Sequence, residues 1–401
     1  MVFKNPREEL IRTVADFAKT HIKSRDDLHR LDTFPTDIWQ KMGKYGLMGA
    51  GLPVPFKSID ISTGSDCTDI CTAGYALARY GANMGIVLSW LIHQITARFL
   101  IFKFGNDSQK KNFLDDLSSG RITASFAVSE PDAGSHPKHL KTSAVRQNDD
   151  FIINGRKTLL TNGPIADIFI VIAQTGMEPP ETDRDVVIAP KKLFSAFIVS
   201  RNENINGLKI GHSLELNFLR PSVHGGISLT DCLVSSKNIL GTPDRAYREM
   251  VIPFREIEDA LLAGPVAGII QCQLSMIASM IASMIREKSP AGSSSRKLHK
   301  RLGRLQSIAH TAKILAFECA KMLEDTEKGL IHQEFTSLLI FYKDLVPEFQ
   351  EIIESTISEF NIPENEKLKQ MSNDLSKLSA MSKNITAIKQ SIIGERLVYR
   401  K

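Results

Sequence analysis

Cysteine is scarce in this chain, and its spacing holds nothing together. The 401 residues include five, Cys67, Cys71, Cys232, Cys272 and Cys319. That odd number, with neither paired CxxC motifs nor cysteines and histidines at zinc spacing, excludes a disulfide framework and a structural zinc module. Free thiols of this kind suit a reducing, cytoplasmic setting. An excess of one charge is also missing: 50 Lys and Arg against 45 Asp and Glu leave a formal +5, dispersed along the chain. No nucleic-acid partner is expected from that balance. The first residues, MVFKNPREELIRT, are polar and helical in period rather than basic and then apolar, so no secretory leader is read there. At 42% hydrophobic and 24% charged residues, disordered and fibrous classes are excluded as well, and two or three domains are expected.

Charge is absent altogether from one run, Ala260 to Ile285, ALLAGPVAGIIQCQLSMIASMIASMI, which is long enough to cross a bilayer. Gln271, Gln273, Ser275, Ser279, Ser283 and the Gly264-Pro265 pair argue against a span. A buried core helix, apolar on all sides, accounts for the run better than a membrane helix, and no membrane association is expected. Such a helix is difficult to cover in one small bundle, which points to a homodimer or homotetramer.

The hydrophobic period changes twice along the chain. Residues 1–120 read as helices, with Pro35, Pro53 and Pro55 as punctuation and a polar loop at residues 60–69. Tyr75, Leu77, Ala78, Leu88, Leu91, Ile92, Ile95, Phe99 and Leu100 recur at helical spacing. Over residues 121–243 the period is two: ITASFAVSE, FIINGRKTLLT, DIFIVIAQT and FSAFIVS are short β-rich runs separated by turn signals such as Asn154-Gly155. Residues 244–401 return to helical spacing through Leu302, Leu305, Ala309, Ala312, Ala316, Cys319 and Leu323, interrupted by a Pro-, Gly- and Ser-containing basic loop at 287–300. The fold class is therefore α+β: an N-terminal helical domain, a middle β-barrel-like domain and a C-terminal helical bundle.

The chemistry concentrates in FAVSEPDAGS, Phe126 to Ser135, followed about twenty residues later by NGRKTLLTNG, Asn154 to Gly163. Pro131 and Gly134 let the backbone turn sharply, so that main-chain N–H groups and the Ser129 and Ser135 hydroxyls converge on a ligand. Asp132, His136 and His139 also meet here, but three donors on an irregular loop do not make a metal site. The motif pair resembles the acyl-CoA dehydrogenase family, flavoproteins whose β-domain carries a Ser/Thr-Glu-Pro-x-Ala-Gly-Ser-Asp loop and then a Lys-x-Trp/Phe-Ile-Thr-Asn strand. The resemblance continues through FPTDIWQKMGKYGLMGAGLP, FGNDSQKKNFLDDLSSG and ISLTDCLVSSKNILG. It implies that FAD is bound by Phe126, Val128, Ser129, Leu159 and Thr161, with Ser129 at the pyrimidine side of the ring and Thr161 at its N5 edge. It also implies that Gly134 and Ser135 face the acyl thioester. His136 stands where the family has aspartate, and Leu159 where it has the aromatic residue that packs on the flavin.

The C-terminal half departs further from the family. Its Arg-x-x-Phe-Gly segment has no counterpart at residues 289–300, and the Tyr-Glu-Gly-Thr motif that carries the base in many members is absent. IEDALLAGPVAG instead resembles the Glu-Arg frame of branches like isovaleryl- and long-chain acyl-CoA dehydrogenases. That frame places Glu258 at the base and Asp259 where the arginine would be. Two readings of Glu258 stay open, a general base or an acid that merely favours the positive end of a helix. The implied function is FAD-dependent α,β-dehydrogenation of an acyl thioester on CoA or an acyl carrier protein, with electron-transfer flavoprotein or another acceptor. A degenerate relative serving as a binding or assembly module is the alternative.

Overall fold

The computed structural model describes residues 6–53, 55–56, 66–179, 181–183, 186–188, 191–201, 206–287, 292–325 and 333–399. Five helices come first: α1 (Pro6–Ala18), α2 (Thr36–Lys44), α3 (Asp66–Gly81), α4 (Met84–Ile95) and α5 (Asp107–Ser118). Their ends are set by side chains. Asn83 accepts from Ile86 N at 2.9 Å to start α4, and Asn106 with Gln109 forms a capping box on α5.

Ten strands follow: β1 (Ala124–Ala127), β2 (Ser143–Gln147), β3 (Asp150–Thr161), β4 (Ile168–Met177), β5 (Glu181–Asp183), β6 (Val186–Ile188), β7 (Lys192–Ser200), β8 (Leu208–Ile210), β9 (His224–Ser235) and β10 (Ile239–Leu240). Eight of them share one sheet in the order β10–β7–β4–β2–β3–β9–β8, with β1 beside β4, while β5 and β6 form a separate ribbon. The path begins at β10 and ends at β8, so the barrel-like domain is an open one with two edges. Alternation explains the apolar run in β4. Ile168, Ile170 and Ile172 join the core shared with the helices, whereas Phe169, Val171 and Ala173 join the core of the sheet domain. β7 divides the same way, with Phe194, Ala196 and Ile198 against Phe197 and Val199. One face of the sheet thus packs on helices, and that contact fixes the sheet's motif loops over the C-terminal bundle.

The bundle consists of α6 (Ile252–Glu287), α7 (Gly292–Asp325), α8 (Gln333–Glu359) and α9 (Glu366–Val398). α6 is entered through a π turn, Tyr247–Val251, and lies backbone-close to α3. A Cβ built on Gly264 would stand 2.6 Å from the Cys71 carbonyl oxygen, and one on Gly268 would stand 2.4 Å from that of Tyr75. Only glycine permits that approach. The uncharged run therefore finds its cover inside the chain, on α3, α4, α7, α8 and α9, which removes the reason it gave for an oligomer. Among the described residues, two helices are long and apolar enough to cross a membrane, Met84–Phe102 and Tyr247–Arg286, and those windows are 89% and 78% buried within the fold.

Two expected loops are shorter than their composition suggested. Residues 60–65 of the polar loop lie outside the described residues, but Asp66–Asp69 already belong to α3. Residues 288–291 of the basic loop likewise lie outside, and Gly292–Lys300 form the first turns of α7. Serines and a single glycine at a helix start are compatible with N-terminal positions, so the composition misplaced the boundary.

Candidate active site

One cavity of about 180 Å³ lies where β1, the end of β3 and the start of α6 meet. Its walls are Ile92, Phe126, Val128, Ser129, Ser135, Leu159, Leu160, Thr161, Val251, Phe254, Arg255 and Glu258. Seven residues singled out in the sequence therefore converge: Phe126, Val128, Ser129, Ser135, Leu159, Thr161 and Glu258. Gly134 is not among the walls. It sits at φ 54° with open space beyond its Cα, and it bonds back to Glu130 through N–H to carbonyl contacts of 3.1 and 2.8 Å. Its part is to close the turn that aims Ser135 inward.

The loop is held from below by charge. Glu130 accepts from the Lys141 and Thr142 backbone N–H groups at 2.7 and 2.9 Å and from Lys157 Nζ at 2.9 Å, while Lys157 Nζ also donates to the Val128 carbonyl at 3.0 Å. Burial lowers the Lys157 ammonium to about 8, against the pull of Glu130 in the other direction. The far wall depends on an irregularity in β3. Its register with β9 shifts between Lys157 and Leu160, and Leu159 is thrown outward at φ 56° with 57% of its surface exposed. A branched, apolar, exposed residue in the left-handed region is a costly placement, and such positions cluster where ligands bind.

The chemistry of the donors fits a flat ring with polar edges. The hydroxyls of Ser129 and Thr161 line the cavity without a hydrogen-bond partner among the described residues, and Phe126 and Leu159 supply apolar walls. Ser129 contributes its carbonyl to Thr158 N at 2.8 Å, and Ser125 Oγ donates to the Thr161 carbonyl at 2.7 Å, so both hydroxyls are presented by anchored backbone. The opposite wall comes from α6. Glu258 reaches the cavity with no hydrogen bond or ion pair to the described residues. Loss of solvation, and then the neighbouring Asp259 carboxylate, raise its pKa to about 7 against the opposing pull of Arg255 and Lys343.

Asp259 turns the other way. It pairs with Lys343 at 2.9 Å and Lys389 at 3.4 Å, and Glu256 also holds Lys389 at 2.9 Å. The charge reversal noted in the sequence is thus neutralised by lysines of α8 and α9. Sequence reading missed Arg255, whose Nη2 donates to the Ser135 carbonyl at 3.2 Å and to Ser135 Oγ. It also missed Tyr247, whose hydroxyl donates to the same carbonyl at 2.9 Å, and Phe254, whose ring centroid lies 4.5 Å from that of Phe126. The helical spacing of 247, 251, 254, 255 and 258 could have flagged them as one face.

Known proteins resemble this chain in sequence and in fold. Residues 5–121 match the model of the acyl-CoA dehydrogenase N-terminal domain, and residues 125–232 match that of the acyl-CoA dehydrogenase middle domain, together more than half of the chain. The chain is 32% identical to an acyl-CoA dehydrogenase of Bacillus subtilis over 52% of its own length and 53% of that protein, so the match spans only about half of that relative. Among solved structures, butyryl-CoA dehydrogenase from Megasphaera elsdenii superposes with a TM-score of 0.81 at 17% identity, covering 99% of each chain. The prolyl acyl carrier protein oxidase AnaB superposes at 0.79 with 21% identity, covering 99% of this chain and 100% of that one. At these identities the superpositions establish the fold alone.

Proposed function

Because the chain belongs to the acyl-CoA dehydrogenase family, we propose that it is an FAD-dependent oxidoreductase. It would remove the α- and β-hydrogens of an acyl thioester carried by CoA or an acyl carrier protein. One observation carries this reading: a single cavity joins a carboxyl group poised near neutrality, Glu258, to the hydroxyls of Ser129 and Thr161, which have no hydrogen-bond partner among the described residues, between apolar walls. FAD, when bound, supplies the acceptor for the hydride that leaves the β-carbon. Ser129 and Thr161 hold the polar edges of its ring by donating their hydroxyl protons. Phe126 and Phe254 shield the reacting carbons from water, and Leu159 adds an apolar wall.

The carboxylate of Glu258 accepts the α-proton. Its elevated pKa matches the task, since a base near 7 combines an adequate ionised fraction with useful proton affinity. Lys343 and Lys389 keep the Asp259 carboxylate occupied and thereby limit its repulsion of the charged base. Electron-transfer flavoprotein or another acceptor would reoxidise the protein, and five cysteines outside any disulfide suit a cytoplasmic location. A homodimer or homotetramer is proposed on a new ground. Met381, Ile385, Ile388 and Ile392 recur on α9 at steps of four, three and four, and all four are exposed. A degenerate, non-catalytic relative is the competing reading, favoured by the unbroken helix α9 in a half of the chain that lacks the family's later motifs. Anaerobic mixing of the FAD-loaded protein with an acyl-CoA series separates the two. Reduction by at least one thioester supports dehydrogenation, and an unreduced flavin throughout supports the degenerate module.

A further inference from the structure

The base-bearing helix and the motif loop belong to different domains, and the Arg255 side chain ties one to the other beside the cavity. Arg255 stands three residues before Glu258, on the same side of α6. Its guanidinium reaches both the carbonyl and the hydroxyl of Ser135 on the loop between β1 and β2. No carboxylate within ion-pair distance claims it among the described residues. Position 259, where the related frame carries a cation, holds an acid committed to Lys343 and Lys389. Among the described residues, Arg255 and Glu258 are the charged side chains that line the cavity.

We propose that Arg255 is the positioning residue of this site. It latches the Ser129–Ser135 loop to α6 through Ser135, and it supplies from one turn earlier the cation that position 259 no longer provides beside Glu258. This rests on the dehydrogenase reading for its catalytic meaning, but not for its physical test. The long, permanently charged side chain suits the task, because its Nη2 meets both oxygens of Ser135 while the charge stays beside the carboxylate. The other charges around Glu258 do not duplicate it. Asp259 acts in the opposite sense, Lys343 is spent on Asp259, and Lys389 is shared by Glu256 and Asp259. Tyr247 shares the latch through the Ser135 carbonyl but brings no charge.

The test uses the full-length protein and two readouts that need no turnover. The Glu258 carboxyl is titrated by ¹³C NMR with labelled glutamate, assigned by difference from Glu258→Gln, and amide exchange is followed over residues 129–140. Arg255→Met is expected to raise the Glu258 midpoint by about one pH unit and to speed loop exchange roughly tenfold. Arg255→Lys is expected to hold the midpoint near the wild-type value while the loop still loosens. Arg255→Gln, which keeps a donor without charge, serves if the methionine variant does not fold, and it is expected to raise the midpoint with little change in the loop. A wild-type midpoint and wild-type exchange in Arg255→Met, or in Arg255→Gln an unmoved midpoint, would overturn the proposal. If no acyl thioester reduces the wild-type flavin but these shifts occur, the dehydrogenase reading fails and the latch stands.

Discussion

Lys157 and Glu130 form an ion pair of 2.9 Å under the Ser129–Ser135 loop, with the Lys157 side chain fully buried and that of Glu130 5% exposed. The loop that presents Ser129 to the cavity is therefore fixed to β3 by a desolvated charge pair, and its own turn residues only shape it.

Breaking that pair should cost more than an ordinary surface change. Lys157→Met leaves the Glu130 carboxylate buried with two backbone donors and no counter-charge, and a loss of about 3 kcal/mol is expected in urea unfolding. Adding Glu130→Gln should recover part of the loss, because the stranded charge disappears with it. A single variant as stable as the wild type would show that the pair holds nothing.

The environment of Asp259 decides the effect of reversing its charge. Asp259→Arg restores the residue of the related sequence frame, yet it would set a third cation beside Lys343 and Lys389 and strand Lys343, leaving Lys389 to Glu256 alone. The expected outcome is a stability loss of about 1–3 kcal/mol and no gain in activity. A variant with raised melting temperature and raised turnover would contradict this.

A buried carboxyl that does not line the cavity makes the fold pH-sensitive. Asp374 accepts from Leu219 N at 2.7 Å and Gln370 Nε2 at 2.9 Å, yet burial lifts its pKa to about 7. The folded state then holds this proton more tightly than the unfolded chain, whose carboxyl titrates near 4. Stability from this group falls as pH rises from about 4 to 7 and stays lowered above that. Asp374→Asn keeps the acceptor and removes the charge, so it should be the more stable form by about 1–3 kcal/mol at about pH 8, with the difference gone below about pH 4. Melting curves at both pH values check the sign.

Leu159 sets stability against binding. At φ 56° and largely exposed, it should yield about 0.5–1 kcal/mol of stability when replaced by glycine, which adopts that backbone region freely. The same change removes an apolar wall, so FAD affinity should fall. Titration of FAD into both proteins, with their melting temperatures, reads the two effects separately.

The element types were legible in the sequence because period two and period three to four are direct consequences of burial on strands and helices. The motif residues Ser129, Ser135 and Thr161 were legible because their spacing is tied to one local turn and one strand. Arg255, Tyr247 and Phe254 were not. Their meaning depends on a contact between domains made by residues more than a hundred positions apart in the chain, and no local period encodes that contact. The Lys343 and Lys389 partners of Asp259 were hidden for the same reason. The basic stretch from Gly292 was misread because turn-forming residues also begin helices.

The most direct test of the dehydrogenase reading is anaerobic bleaching of the bound flavin's visible absorbance by acyl-CoA, measured against pH for the wild type and Glu258→Gln. A base with a pKa near 7 predicts wild-type reduction that rises with pH through about 7 and then levels. Glu258→Gln should keep fold and flavin, lose about a hundredfold or more in rate, and lose that pH limb. Reduction of Glu258→Gln at the wild-type rate, or a wild-type protein that shows no saturable FAD binding, would contradict the assignment.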